Sequence, residues 1–201
     1  MTTRAFLIVA LFAFSVAGTP SEADTTAADS LARHARALLV DDGAVESRIA
    51  ALRSFDRATR LAPERGDLWL EFGRACVRMG RHERAHACFL RAARLTPGDP
   101  AVWAALGEAW KEEWLAHVDR RSLDSARVCF ARAAALAPED APAWTALSAL
   151  ALLRGDPSAA LRAGLRAHEA APRATRPRVA IAAALFRMGH GESRRVAFRR
   201  A

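Results

Sequence analysis

Three stretches decide the fold: residues 67–76 (DLWLEFGRAC), 101–110 (AVWAALGEAW) and 141–151 (APAWTALSALA), which align on Trp69, Trp103 and Trp144. Each is followed by a second half of matching pattern. The first runs Trp69, Phe72, Gly73, Cys76, then Ala85, Phe89, Ala92 and Pro97; the second runs Trp103, Leu106, Gly107, Trp110, then Ala126, Phe130, Ala133 and Pro138. The third keeps Trp144, Leu147, Ala160, Ala167 and Pro172, but places Ser148 and Gly164 where the others have Gly and Phe. Loosened packing in that unit is the expected consequence. Within each half the apolar residues fall three and four apart, as one face of a helix requires, so each half reads as an amphipathic helix.

The prolines set the period. Pro63, Pro97, Pro138 and Pro172 follow one another at 34 (97 − 63), 41 (138 − 97) and 34 (172 − 138) residues. Large aromatic, Leu and Gly on a first helix, Ala and Phe on a second, and Pro at the end of a 34-residue unit resemble the tetratricopeptide repeat (TPR). The resemblance implies an all-α fold, a right-handed α-solenoid of antiparallel helix hairpins, with about three full and two partial repeats. The units expected are a leader at 1–23, a degenerate first repeat at 24–65, repeats at 66–99, 100–140 and 141–174, and a partial repeat at 175–201. Gly73, Gly107, Ala85 and Ala126 should let the two helices of a hairpin approach closely, with Phe89 and Phe130 filling the space between one hairpin and the next. Gly80, Gly155 and Gly189 should end first helices, and Asp41, Asp42 and Gly43 should form the turn of the first repeat.

The longer middle unit carries its seven extra residues between Trp110 and Ala126. No Gly or Pro interrupts them, so the first helix should run on for about two turns, with Ser122 capping the helix that follows. Trp110, Trp114 and Val118 then fall four apart. They either pack beneath the adjacent hairpin or form an exposed aromatic contact for a partner.

Residues 5–17 (AFLIVALFAFSVA) form an apolar run behind Arg4, and Ser15, Val16 and Ala17 end it with small residues, the pattern of a secretory signal peptide. The run is shorter than the roughly 18–20 apolar residues that span a bilayer. An exported protein, periplasmic or secreted, with no stable membrane insertion after cleavage, is the expectation. Three cysteines, Cys76, Cys88 and Cys129, cannot all pair within the chain and read as packed thiols, although Cys76 and Cys88 could approach across one hairpin.

The 201 residues carry a net charge of +8 from arginines scattered along the helices. Basicity without a cluster supplies only nonspecific attraction to phosphates, so nucleic acid is not an expected partner; the balance favours acidic ones. Residues 82–86 (HERAH) fit the zinc-hydrolase pattern H-E-x-x-H through His82, Glu83 and His86. However, Ala85 already serves as the small packing residue, which should turn both histidines towards solvent. No third ligand follows at a suitable spacing. No Gly-rich phosphate loop, Cys-x-x-Cys pair or nucleophile elbow occurs. Adjacent Glu112 and Glu113 read as a solvated face. No enzyme, metal or cofactor is therefore expected.

The resemblance implies that first helices line a groove for another polypeptide. The residues expected there are Leu70, Arg74, Val77 and Arg78, then Ala104, Glu108 and Lys111, then Thr145, Ala149 and Leu152, then Val179, Ala183 and Phe186. Apolar surface with basic spots suits an extended or helical peptide. The function expected is a protein-interaction scaffold. The alternative is an N-terminal module of a longer protein, or a subunit that self-associates through an uncapped C-terminal hairpin.

Overall fold

The structure, a computed structural model, describes residues 21–40 and 45–200, with side chains through residue 189. The proposed signal peptide and the Asp41-Asp42-Gly43 turn lie outside the described residues. Among the described residues there are nine helices and no strand, divided into two compact units, Met1–Arg65 and Gly66–Ala201.

In the first unit α1 (Glu22–Val40) pairs with α2 (Val45–Leu61). Its start is a reciprocal cap: the Asp24 amide donates to the Ser21 hydroxyl at 3.1 Å, and the Ser21 amide donates to the Asp24 carboxylate at 3.2 Å. Ala28, Ala32 and Ala35 on α1 and Ala51, Leu52, Phe55 and Ala58 on α2 are buried. Arg65, after α2, reaches back to Asp29 at 3.1 Å.

The second unit stacks three antiparallel hairpins and a final helix. They are α3 (Gly66–Arg78) with α4 (His82–Leu95), α5 (Pro100–His117) with α6 (Arg120–Leu136), α7 (Ala141–Leu153) with α8 (Pro157–Ala170), and α9 (Thr175–Arg200). The first helices begin where the proline period places them. In the first hairpin a methyl group on Gly73 would sit 2.4 Å from the Phe89 ring, and one on Gly107 would sit 3.0 Å from Phe130 in the next. Glycine on one helix makes room for phenylalanine on the other.

The third hairpin is not loosened. Ser148 is fully buried and donates its hydroxyl to the Ala160 carbonyl at 2.7 Å. A methyl on Gly164 would meet Ile181 of α9 at 3.1 Å. The side chain that fills the gap comes from the following helix.

The tryptophans fasten the turns. Trp103 Nε1 donates to the Pro97 carbonyl at 2.8 Å, and Trp144 Nε1 donates to the Pro138 carbonyl at 2.9 Å, so each aromatic ties its helix to the loop before it. Arginines cover these rings: Arg132 lies 4.2 Å above Trp103 and Arg166 lies 5.5 Å above Trp144. Part of the scattered arginine content is thereby used as packing.

Gly80 (φ 67°) and Gly155 (φ 75°) close α3 and α7 in the left-handed conformation. Arg81 N–H donates to Cys76 and Asp156 N–H to Ala151, the six-to-one bond of a Schellman motif. Gly189 does not act this way: it lies within α9, which continues to Arg200. The last element is one long helix, not the hairpin read from the sequence. With no Pro after Gly189 and no turn residue in left-handed geometry there, nothing stops it.

The insertion lengthens both helices of the middle hairpin. The α5 helix has 18 residues against 13 in α3 and α7, and α6 has 17 against 14 in α4 and α8. The cap of α6 is Asp119 rather than Ser122. The Asp119 carboxylate accepts from the amides of Arg121 and Ser122, both at 3.2 Å, bonds that hold it below its ordinary pKa. Trp110 and Trp114 pack against Leu123, Ala126, Phe130 and Leu150, so they are interior props and not an exposed knob. Val118, 73% exposed, leaves the helix and takes the left-handed capping position at φ 53°.

Candidate partner-binding groove

A groove of about 1180 Å³ opens within the second unit. Its floor and walls come from α3, α5 and the start of α7, with the first turns of α4 closing one side. The elongated α5 runs along it from Ala101 to His117, so the insertion supplies much of the groove's length. Val77, Phe89, Ala104, Ala105 and Leu115 provide apolar lining; Leu115, at 56% exposure, is the largest exposed side chain among them.

The residues expected at a groove separate into groups. Arg74, Val77, Arg78, Ala104 and Glu108 line this one. Leu70 is only 6% exposed and belongs to the core. Lys111 is paired with Glu108 and lies off the lining. Thr145 donates its hydroxyl to the Ala141 carbonyl at 2.8 Å within its own helix. Ala149 is exposed and Leu152 half-buried, both outside the groove. Val179 (61%) and Phe186 (65%) stand exposed on α9, with Ala183 half-buried between them. These α9 residues also lie outside the groove.

The histidine pair is split. His82 is exposed, whereas His86 is half-buried with its ring edge-on to Trp110, 4.2 Å between centroids. Burial pushes the His86 pKa down, partly opposed by the charge of Glu113. His86 departs from the solvent-facing position expected of both histidines because Trp110 of α5 packs edge-on against its ring. Among the described residues no group of three or more His, Cys, Asp and Glu side chains is placed to hold a metal ion.

Lining residues that were not recognised from the sequence as groove residues include Glu83, His86, Glu112, Glu113, Leu115, His117 and Asp140. Glu113 sits 3.8 Å from His117 on the same helix face. The available signal was the uninterrupted helical stretch after Trp110; what it did not reveal was the neighbour those residues would face. All three cysteines are buried free thiols, and burial pushes Cys129 up to about 11.

Stacked antiparallel hairpins define a helical-repeat protein. Residues 49–109 match the tetratricopeptide-repeat family model, and the described chain has the TPR solenoid fold. It is similar to a crystal structure of the MamA protein, at 16% identity over 86% of this chain and 88% of that one, with a TM-score of 0.70. It is also similar to YrrB, described as a TPR protein with an unusual peptide-binding site, at 21% identity, 79% and 75% coverage and a TM-score of 0.63. The first TPR of Spaghetti (RPAP3), solved bound to an HSP90 peptide, aligns at 14% identity over 63% of this chain and 94% of that one, TM-score 0.56. No curated protein matches the sequence. No catalytic family is indicated.

Proposed function

We propose that the chain is a protein-interaction scaffold that holds a segment of another polypeptide in the groove along α5. The observation that carries this reading is a groove of about 1180 Å³ whose apolar side chains Val77 and Leu115 remain exposed on helices otherwise packed into the stack. Exposed apolar surface in a concave site is where a partner gains most from desolvation. Two proteins of the same fold are described as peptide-bound or peptide-binding, which supports the same use here.

The test is selection of peptides from a displayed library by the wild-type chain, followed by rebinding to Val77→Asp and Leu115→Asp. Both positions are exposed, so helical circular dichroism and melting should stay near wild type while binding is lost. Undiminished binding by both variants would remove the groove as the site.

A second reading draws on α9, where Val179, Leu185 and Phe186 are exposed on the last helix. Self-association through this helix predicts a sedimentation coefficient that rises with concentration and falls back in Phe186→Glu; a concentration-independent monomer refutes it. Export to the periplasm or medium is proposed from residues 5–17. Protein recovered from the extracytoplasmic fraction should begin just after Ala17, and retention of Met1 in the cytoplasmic fraction would refute it.

A further inference from the structure

The groove has a charge of its own that opposes the charge of the chain. Its lining contains five carboxylates, Glu83, Glu108, Glu112, Glu113 and Asp140, against two guanidiniums, Arg74 and Arg78. Three of the carboxylates, Glu108, Glu112 and Glu113, belong to α5. Lys111 answers Glu108, and His117 lies beside Glu113 without neutralising it while the imidazole is uncharged. Glu112 has no ion pair among the described residues. The complete chain, by contrast, carries +8.

We infer that the segment held in the groove is cationic, with Lys or Arg along the edge that meets α5 and apolar residues towards Val77, Phe89 and Leu115. This rests on the scaffold reading and adds the partner's chemistry to it. Carboxylates spaced along one helix face a bound segment at a repeat that its own side chains can match, and a concave, partly apolar wall weakens solvent screening of those pairs. Arg74 and Arg78 come from α3, so the α5 edge is the place for the segment's positive charge. The preference is therefore the reverse of that expected from net charge, which would draw acidic partners to the surface as a whole.

The reversal makes the test decisive. Three labelled amphipathic peptides share one leucine pattern and carry Lys, Glu or Gln at every polar position; their binding to the full chain is followed by fluorescence anisotropy at pH 7.5 in low salt. The Lys peptide should bind about tenfold more tightly than the Glu peptide, from several partly screened pairs acting together, with the difference shrinking as salt is raised. Glu112→Gln combined with Glu113→Gln should abolish most of that preference while leaving the Gln peptide unchanged, and Arg74→Gln should not weaken the Lys peptide. Equal or tighter binding of the Glu peptide overturns the inference. If the Gln peptide still binds and Leu115→Asp still removes it, the groove reading survives that outcome. If none of the three peptides binds, both fall together.

Discussion

Gly73→Ala places a methyl group 2.4 Å from Cε1 and 2.6 Å from Cδ1 of Phe89, a ring that is itself 2% exposed. Carbon atoms rest at about 3.5–4.0 Å, so the ring must retreat by roughly 1 Å in an interior packed as densely as an organic crystal. Overpacking of this kind costs about 1–3 kcal/mol. The better helix propensity of Ala returns about 1 kcal/mol, and because the approach is so far inside contact the net loss should be about 1–2 kcal/mol. For a chain of this size that corresponds to a melting point lower by roughly 2–8 °C. Urea unfolding followed by circular dichroism measures the loss directly. A double-mutant cycle with Phe89→Leu isolates its cause, since the smaller side chain should recover most of what Gly73→Ala loses. Gly189→Ala is the control: among the described residues nothing lies within 4 Å of its added methyl, so that variant should be as stable as wild type or more so. The reasoning would be refuted by Gly73→Ala unfolding at or above the wild-type urea midpoint, or by additive losses in the cycle.

Val118 holds a left-handed conformation that costs a non-glycine residue about 1–2 kcal/mol, and it is 73% exposed. Val118→Gly should therefore raise stability by about 0.5–1 kcal/mol after the added flexibility of the unfolded chain is counted; a lower urea midpoint would contradict this. His86, with its pKa pushed below the ordinary 6.5 by burial beside Trp110, stays neutral in the folded chain at pH values where the unfolded chain is already protonated. Its contribution is thus fully present above pH 6.5 and is lost as pH falls towards the folded pKa. Wild type should lose more stability between pH 7.5 and 5 than His86→Gln, and equal losses would sink the assignment. The thiols of Cys76, Cys88 and Cys129 are buried, and Cys129 is pushed up to about 11, so a thiol reagent at pH 7 should react slowly with native protein and label all three on unfolding. Rapid labelling of the native chain would show that these helices open far more readily than their packing implies.

The recurrence of Trp69, Trp103 and Trp144 with Gly, Ala, Phe and Pro at fixed offsets was enough to determine the fold. Each hairpin meets its neighbour through the same few positions, so the local pattern and the tertiary pattern carry the same information. The close approach at Gly73 and Gly107 was legible for that reason, although the rings that meet them, Phe89 and Phe130, come from the same hairpin rather than filling the space between hairpins. Gly164 was not, because the residue that fills its space, Ile181, comes from a different helix at no fixed offset. Residues on the lengthened α5 show the same limit: Trp110 and Trp114 became props of the core, while Glu112, Glu113 and Leu115 became groove wall. Period and spacing assign a residue to a face of its own helix. Which element that face meets, and whether the space between them fills or stays open, is set by side chains distant in the chain, and here that decided the site.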